Sequence, residues 1–331
     1  MSGGRGKRVL VTGGAGYVGS VTSAILLERG YRVTVLDDLS TGFGAAVPEG
    51  VTFVKASLLD SGKVLDPSYE AVLHFAASAE VGESSRVPEK YWRNNVIETF
   101  ALLEAMRATG VRRLIFSSTC AVYGEAAQIP IAEDCHVRPI NAYGASKLAV
   151  DHMIRSECEA HGLAAVSLRY FNVAGAYTRF GERHDPESHL IPLALQVAQG
   201  RRKALSVHGT DYATPDGTCV RDYVHVADLA EAHLLAMGKA MPGVHQVVNL
   251  GGGRGHSVLD VIGAVEQVTG RSVPVVHGER RGGDPAVLVA SNARAAEELG
   301  WRPRRTSLLE MISDAWMFTG RLSARTPQRE L

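Results

Sequence analysis

Tyr143 and Lys147 stand four residues apart in "NAYGASKLAVDHM", a spacing that can serve proton transfer. Residues at i and i+4 share a helix face, so the lysine can lie alongside the tyrosine. A phenol ionises near pH 10 and is a poor base at neutral pH. A neighbouring ammonium favours the phenolate and lowers that value. The bland alternative is an amphipathic tyrosine on an ordinary surface helix, and Y-x-x-x-K alone does not exclude it. Just upstream, "SSTCAVYG" places hydroxyls at Ser117, Ser118 and Thr119 where an apolar run ends. In open α/β sheets, ligands bind at that edge.

A second constellation lies near the N-terminus. "VLVTGGAGYVGSVTSAILLERG" puts Gly13, Gly16 and Gly19 in a strand-to-helix turn. Such a turn lets backbone approach a pyrophosphate, and the following helix aims free N–H groups at it. A tight turn and nothing more is the competing reading. The next apolar run ends in Asp37, close to the roughly 20-residue offset at which a carboxylate meets the adenosine ribose. A carboxylate there repels a 2′-phosphate, and "DDLSTG" follows it with no arginine, so NAD is favoured over NADP.

The elements that position these groups follow from periodicity. "RVLVTGG", "RVTVLDD", "VTFVKAS", "AVLHFAA", "RRLIFSS" and "AAVSLRYFNV" read as strands, apolar on both faces. "GYVGSVTSAILLERG", "EKYWRNNVIETFALLEAMRATG" and "GASKLAVDHMIRSECEAHG" have helical spacing and end at glycine. Alternating β and α predicts an α/β fold, a doubly wound parallel sheet of Rossmann type. Beyond Gly175 the pattern loosens: 176–217 is loop-rich with one helix near 191–199, then "YVHV", "ADLAEAHLLAMGKA", "VVNLGGG" and "SVLDVIGAVEQVTG". The expected division is a nucleotide-binding domain over 7–175 and a smaller C-terminal substrate-binding lobe over most of 176–320, with the chain crossing back.

Composition narrows the classes. The 331 residues carry 35 basic and 35 acidic side chains, so nothing predicts an electrostatic search for nucleic acid or anionic lipid. The N-terminal apolar run is too short for a signal peptide, and no run reaches the roughly 18 residues of a membrane helix. Four cysteines without regular spacing suit reduced thiols, hence a cytoplasmic location. No H-E-x-x-H or histidine–cysteine cluster supports a metal. His74 closes an apolar strand and reads as a packed residue. Cys120 has no base beside it in sequence and reads as a buried, inert thiol.

The glycine turn, the Ser/Thr strand end and Y-x-x-x-K together resemble the extended short-chain dehydrogenase/reductases that act on nucleotide sugars. The chain is most similar to the UDP-glucose 4-epimerase family (UDP-galactose 4-epimerases). That resemblance runs from about Lys7 to Phe318, through "HFAA", "VGES", "NNV", "AYGASK", "RYFNVAGA", "HLIPLALQVA", "DYATPDGTCVRDYVHVADLAEAH" and "GGDPA". It implies that Tyr143 is the base for the sugar 4-hydroxyl, that Lys147 holds the nicotinamide ribose and lowers the tyrosine pKa, and that Thr119 bonds near the reacting oxygen. The sugar is oxidised to a 4-keto intermediate, turns over and is reduced on its other face.

The resemblance further implies cofactor contacts at Gly13, Gly16, Tyr17, Val18 and Gly19, and along Asp37, Asp38, Leu39, Ser40, Thr41 and Gly42. Ser57, Leu58, Phe75, Ala76, Ala77, Ser78, Ala79, Asn95 and Phe171 complete that set. It assigns the UDP-sugar to Asn172, His189, Leu190, Arg221, Arg281 and Asp284, with Leu288 as a gate beside the sugar. It also implies a homodimer through the 89–106 helix and the Tyr143 helix. Three departures stand out: Ser57 where relatives often place an adenine-facing aspartate, no lysine at Ser78 or Ala79, and His189 in place of asparagine. A nucleotide-sugar 4,6-dehydratase has an acidic pair after the threonine, whereas Cys120 and Ala121 follow Thr119 here. A non-catalytic NAD sensor is expected to lose Tyr143 or Lys147, and both are present.

Overall fold

Apolar runs of four to seven residues form the strands of one seven-stranded parallel sheet in the computed structural model, which describes residues 6–282 and 284–323. The first strands are β1 (Arg8–Thr12), β2 (Arg32–Asp37), β3 (Thr52–Lys55), β4 (Tyr69–His74), β5 (Arg113–Thr119) and β6 (Ala164–Tyr170). Short pieces follow as β7 (Asn172–Ala174), β8 (Ala176–Tyr177), β9 (Phe180–Gly181), β10 (Leu205–His208) and β11 (Val220–His225). β12 (His245–Leu250) returns to the large sheet outside β6, and β13 (Gly255–Ser257), β14 (Val275–Gly278) and β15 (Val287–Leu288) come last. The sheet order is β12-β6-β5-β4-β1-β2-β3. β1 and β4 therefore flank the point where winding reverses, and a crevice opens there at the strands' C-terminal ends.

The helices are α1 (Tyr17–Glu28), α2 (Ser61–Val64), α3 (Val81–Ser84), α4 (Pro88–Tyr91), α5 (Glu98–Thr109), α6 (Ala142–His161), α7 (Leu190–Ala198), α8 (Val226–Lys239), α9 (Val258–Thr269) and α10 (Leu308–Ser323). Alternation along β1 sends Val9 and Val11 to one face, packed with Leu26 of α1 and Leu229 and Ala236 of α8. Leu10 points to the other face, with Leu102 and Met106 of α5 and Val150 and Ile154 of α6. Each such side chain contributes about 1.5–3 kcal/mol on leaving water. A separate apolar cluster joins Leu195 of α7, Val265 of α9 and Ile312 of α10. It forms the core of the C-terminal region.

Three features depart from the reading by periodicity. "AAVSLRYFNV" is not one strand: it breaks at Phe171, whose N–H donates to the Leu250 carbonyl at 3.1 Å. β7 then leaves the sheet and pairs with β11, Asn172 opposite Tyr223. The 89–109 helix is interrupted by a π-helical segment, Trp92–Ile97, because Asn95 turns inward to bind the loop after β4. Such bulges are frequent at functional sites. The loop-rich region also contains the β8–β9 hairpin and β10 besides its helix, elements too short to show a period.

His74 is a packed residue. Its ring nitrogens meet the hydroxyls of Thr12 at 2.7 Å and Thr99 at 2.8 Å, and its ring stacks on Phe116. Burial, aided by the charge of Lys147, lowers its pKa to about 3, so it stays neutral.

Candidate active site

Thr119 is the last residue of β5, and its Oγ1 accepts from the Ala121 N–H at 3.1 Å, turning the chain out of the sheet. Tyr143 sits in the first turn of α6, which Asn141 caps by accepting from the Gly144 N–H at 2.8 Å. The Asn cap satisfies a free helix donor and fixes where the first turn begins. That placement faces the tyrosine toward the end of β5. Burial pushes the Tyr143 phenol up to about 12, and the Thr119 hydroxyl acts against it by favouring the phenolate.

Lys147 lies one turn further along α6 and is almost fully buried, 2% exposed. Its Nζ donates to the Ser117 carbonyl at 2.8 Å and lies 4.8 Å from the centre of the Phe116 ring. Burial lowers its pKa to about 7, with Asp151 pulling the other way. Asp151 follows on the same helix face and forms a buried ion pair with Arg169 of β6 at 3.0 Å. Arg169 also donates to Tyr123, whose hydroxyl donates to Asn249 of β12 at 2.7 Å. This network ties α6 to the ends of β6 and β12. Sequence reasoning missed it, although Asp151 repeats the four-residue spacing that picked out Lys147.

The glycine turn fits a dinucleotide. A side chain at Gly13, which has φ +70°, would place its Cβ 2.5 Å from the Ala76 nitrogen, and one at Gly19 would meet the Gly13 carbonyl at 2.2 Å. Only glycine lets the turn and β4's end approach so closely. Gly16 is the N-cap of α1 and makes no side-chain cap, and the first turn holds no acid, leaving its N–H groups for an anion. The Tyr17 hydroxyl is held by the Gly175 carbonyl at 2.6 Å, so at this position the backbone faces the turn.

Asp37 is buried at the end of β2, its carboxylate accepting from the N–H groups of Ala15 and Leu39, each at 2.9 Å. Burial raises its pKa, and those two N–H groups oppose the rise. Asp38, Leu39, Ser40 and Thr41 curl past it, and Phe43 N–H returns to the Ala15 carbonyl at 3.1 Å, bringing Gly42 back over the turn. At the adenine corner Ser57 accepts from the Leu59 N–H and donates to Glu98 at 3.3 Å. A carboxylate from α5 therefore stands beside Ser57, a residue that sequence reasoning missed. Leu58 is buried beside it.

Phe75, Ala76, Ala77, Ser78 and Ala79 form the loop after β4. Asn95 binds Ser78 through both its oxygen (2.8 Å) and its nitrogen (3.0 Å), and donates to Ser146 of α6 at 2.9 Å. Its amide therefore braces the loop from behind. Phe171 is buried under the crevice with Cys120 and Leu288. Burial pushes the Cys120 thiol up to about 12, which makes it an unreactive packing group.

Among the substrate positions, three come together. Arg221 on β11 donates to the Pro285 carbonyl at 2.8 Å and to Asp284 at 3.3 Å, and Leu288 is its strand partner. Asn172 lies on β7, next to β11. Arg281 stays at the surface, its carbonyl accepting from the Asp284 N–H at 3.2 Å. His189 is the N-cap of α7 and Leu190 its first residue. Burial alone would lower the His189 pKa, but the Glu182 and Glu187 carboxylates raise it well above the ordinary value.

Residues 9–251 match the NAD dependent epimerase/dehydratase family. The chain is 60% identical over 314 residues to a UDP-glucose 4-epimerase of Streptomyces lividans, covering 93% of this chain and 95% of that one. It is 50% identical to one of Corynebacterium glutamicum, over 96% and 98% of the two chains. The crystal structure of UDP-glucose 4-epimerase from Brucella ovis in complex with NAD superposes with a TM-score of 0.90 at 46% identity, covering 94% of this chain and 98% of that one.

Proposed function

This chain belongs to the NAD dependent epimerase/dehydratase family, and from that premise we infer that it interconverts UDP-glucose and UDP-galactose by inverting the sugar's C4. The observation that carries the reading is the convergence of Thr119, Tyr143 and Lys147 at the sheet's C-terminal edge, beside a glycine turn and a carboxylate suited to a dinucleotide. When bound, NAD supplies the hydride acceptor for C4 and then the donor that returns hydrogen to the opposite face. Tyr143 removes the proton from the 4-hydroxyl and gives it back. Thr119 orients the reacting oxygen and stabilises the phenolate. Lys147, fixed on the Ser117 carbonyl, presents its charge to the nicotinamide ribose.

On the other side of the crevice, Arg221 faces the diphosphate with its guanidinium oriented by Asp284, and Arg281 approaches from the surface. Guanidinium forks make charge-assisted bonds to phosphate oxygens, which suits both to that task. Asn172, His189 and Leu190 hold the uridine end, and Leu288 lines the sugar pocket. A dehydratase reading lacks its acidic pair, since Cys120 and Ala121 follow Thr119 and the Cys120 thiol, pushed up to about 12, is too weak an acid to replace it.

The division that accompanies this chemistry is a cofactor domain over 7–175 and a substrate lobe over most of 176–320. The return of β12 to the large sheet supports the crossing between them. We assign a homodimer, supported by Trp92, Ile97 and Phe100 standing exposed along the 92–109 stretch. A cytoplasmic location is supported by four free cysteines. The test is conversion of UDP-galactose to UDP-glucose by purified protein with no added NAD. Absence of conversion, with cofactor shown to be bound, would refute the reading.

A further inference from the structure

At the uridine end of the crevice, four metal-ligating side chains, His189 among them, converge on the loop between β9 and α7. Their sequence spacing is Glu182-x-His184-x-x-Glu187-x-His189, and one ligand atom from each lies within 4.8 Å of all the others. The Nδ1 of His189 is 3.0 Å from Glu182 Oε1 and 3.1 Å from Glu187 Oε1. The Nδ1 of His184 is 3.4 Å from Glu182 Oε1 and 3.9 Å from Glu187 Oε2. Tetrahedral bonds of about 2.0–2.1 Å to nitrogen and oxygen put neighbouring ligand atoms roughly 3.3 Å apart. The four histidine–carboxylate separations straddle that value, and every separation in the cluster is within 4.8 Å.

Burial and charge support the same reading. The side chains of Glu182 and Glu187 are only 12% and 6% exposed, so two carboxylates sit side by side with little water. Such a pair demands compensating positive charge. The His184 Nδ1 is itself buried without a hydrogen-bond partner, although it faces the Glu182 carboxylate. A dication that displaces the imidazole protons now facing these carboxylates leaves two carboxylates and two neutral imidazoles electrically balanced around it, and it gives that nitrogen a partner.

We propose that Glu182, His184, Glu187 and His189 form a binding site for a divalent transition metal of the zinc class. Imidazole with carboxylate suits zinc among such ions. Four protein ligands leave no position for a reacting water, so the centre is structural. It would tie the end of β9 to the N-cap of α7, and Ser188 between them bonds Glu80 in the segment following β4. The absence of a recognised metal motif in the sequence is explained by the spacing, which matches neither a zincin helix nor a cysteine finger.

The experiment loads full-length protein with ZnCl₂, removes free metal by dialysis and measures zinc per chain by mass spectrometry. One retained zinc ion per chain is expected, with retention falling at least tenfold in Glu182→Gln and in His184→Asn. No retention by the unaltered protein, or full retention by folded variants, would overturn the proposal. Should a variant fail to fold, cobalt substitution of the unaltered chain decides. Intense visible bands of four-coordinate cobalt support the site, and the weak spectrum of the hydrated ion refutes it.

Discussion

The Nζ of Lys147 donates to the Ser117 carbonyl at 2.8 Å, while the phenol of Tyr143, one turn earlier on α6, is set by burial and by Thr119. The lysine is thus anchored to the end of β5. Its burial lowers its own pKa, and that of the phenol is pushed up to about 12. The sequence expectation is that the ammonium favours the phenolate. The Thr119 hydroxyl acts in the same direction, and the positive nicotinamide ring of NAD would add to both when bound.

Replacing Tyr143 with phenylalanine keeps the ring but removes the hydroxyl. Steady-state kinetics should show kcat reduced by about 10²–10⁴-fold, the usual loss for a general base, with NAD still released on denaturing the protein. Near-normal turnover would remove Tyr143 from proton transfer.

The carboxylate proposed to set cofactor choice, Asp37, is locked by the Ala15 and Leu39 N–H groups. Asp37→Ala should weaken NAD binding and relax the exclusion of NADP, read by titrating each cofactor into the stripped protein. An unchanged preference would show that discrimination lies elsewhere.

The burial of Lys147 makes stability depend on pH. The unfolded chain keeps its lysine protonated to about pH 10.4, whereas the folded chain releases this proton from about 7. The unfolded state therefore binds more protons across that window, and stability rises with pH through it. The contribution is complete above the upper value and lost as pH falls through about 7. In cofactor-free protein, melting temperature of the unaltered chain minus that of Lys147→Met should climb between these limits. A flat difference would contradict the burial argument.

Leu288 is buried against Phe171 and Cys120, and we propose that it is the gate beside the sugar. A tyrosine there would fill space that an acetamido group needs. An overpacked pocket costs about 1–3 kcal/mol, so Leu288→Tyr should cut activity on UDP-N-acetylglucosamine by one to two orders of magnitude relative to UDP-galactose. The unaltered chain should show the first activity at a weaker but measurable level. A constant ratio of the two activities would show that Leu288 is not the gate.

The large sheet was legible because its strands are long enough to show unbroken apolar runs and its helices carry clear periodicity. The glycine turn was legible because backbone lies too close at Gly13 and Gly19 for any side chain. Other features depend on contacts distant in sequence. The strand ends at Phe171 because Asn172–Ala174 pair instead with β11, far along the chain. Asn95 interrupts a helix because Ser78 and Ser146 meet there. Glu98 meets Ser57 by a hydrogen bond, and no local pattern connects positions 57 and 98. The Glu182–His189 cluster is compact in sequence but has no familiar period.

The central claim is that hydrogen leaves C4 and returns to it on the same cofactor inside one closed site. Purified protein, with no added NAD, should convert UDP-galactose deuterated at C4 into UDP-glucose with the deuterium still at C4, as read by mass spectrometry and proton NMR in ordinary water. Loss of the label to solvent, or a requirement for cofactor in every turnover, would contradict it.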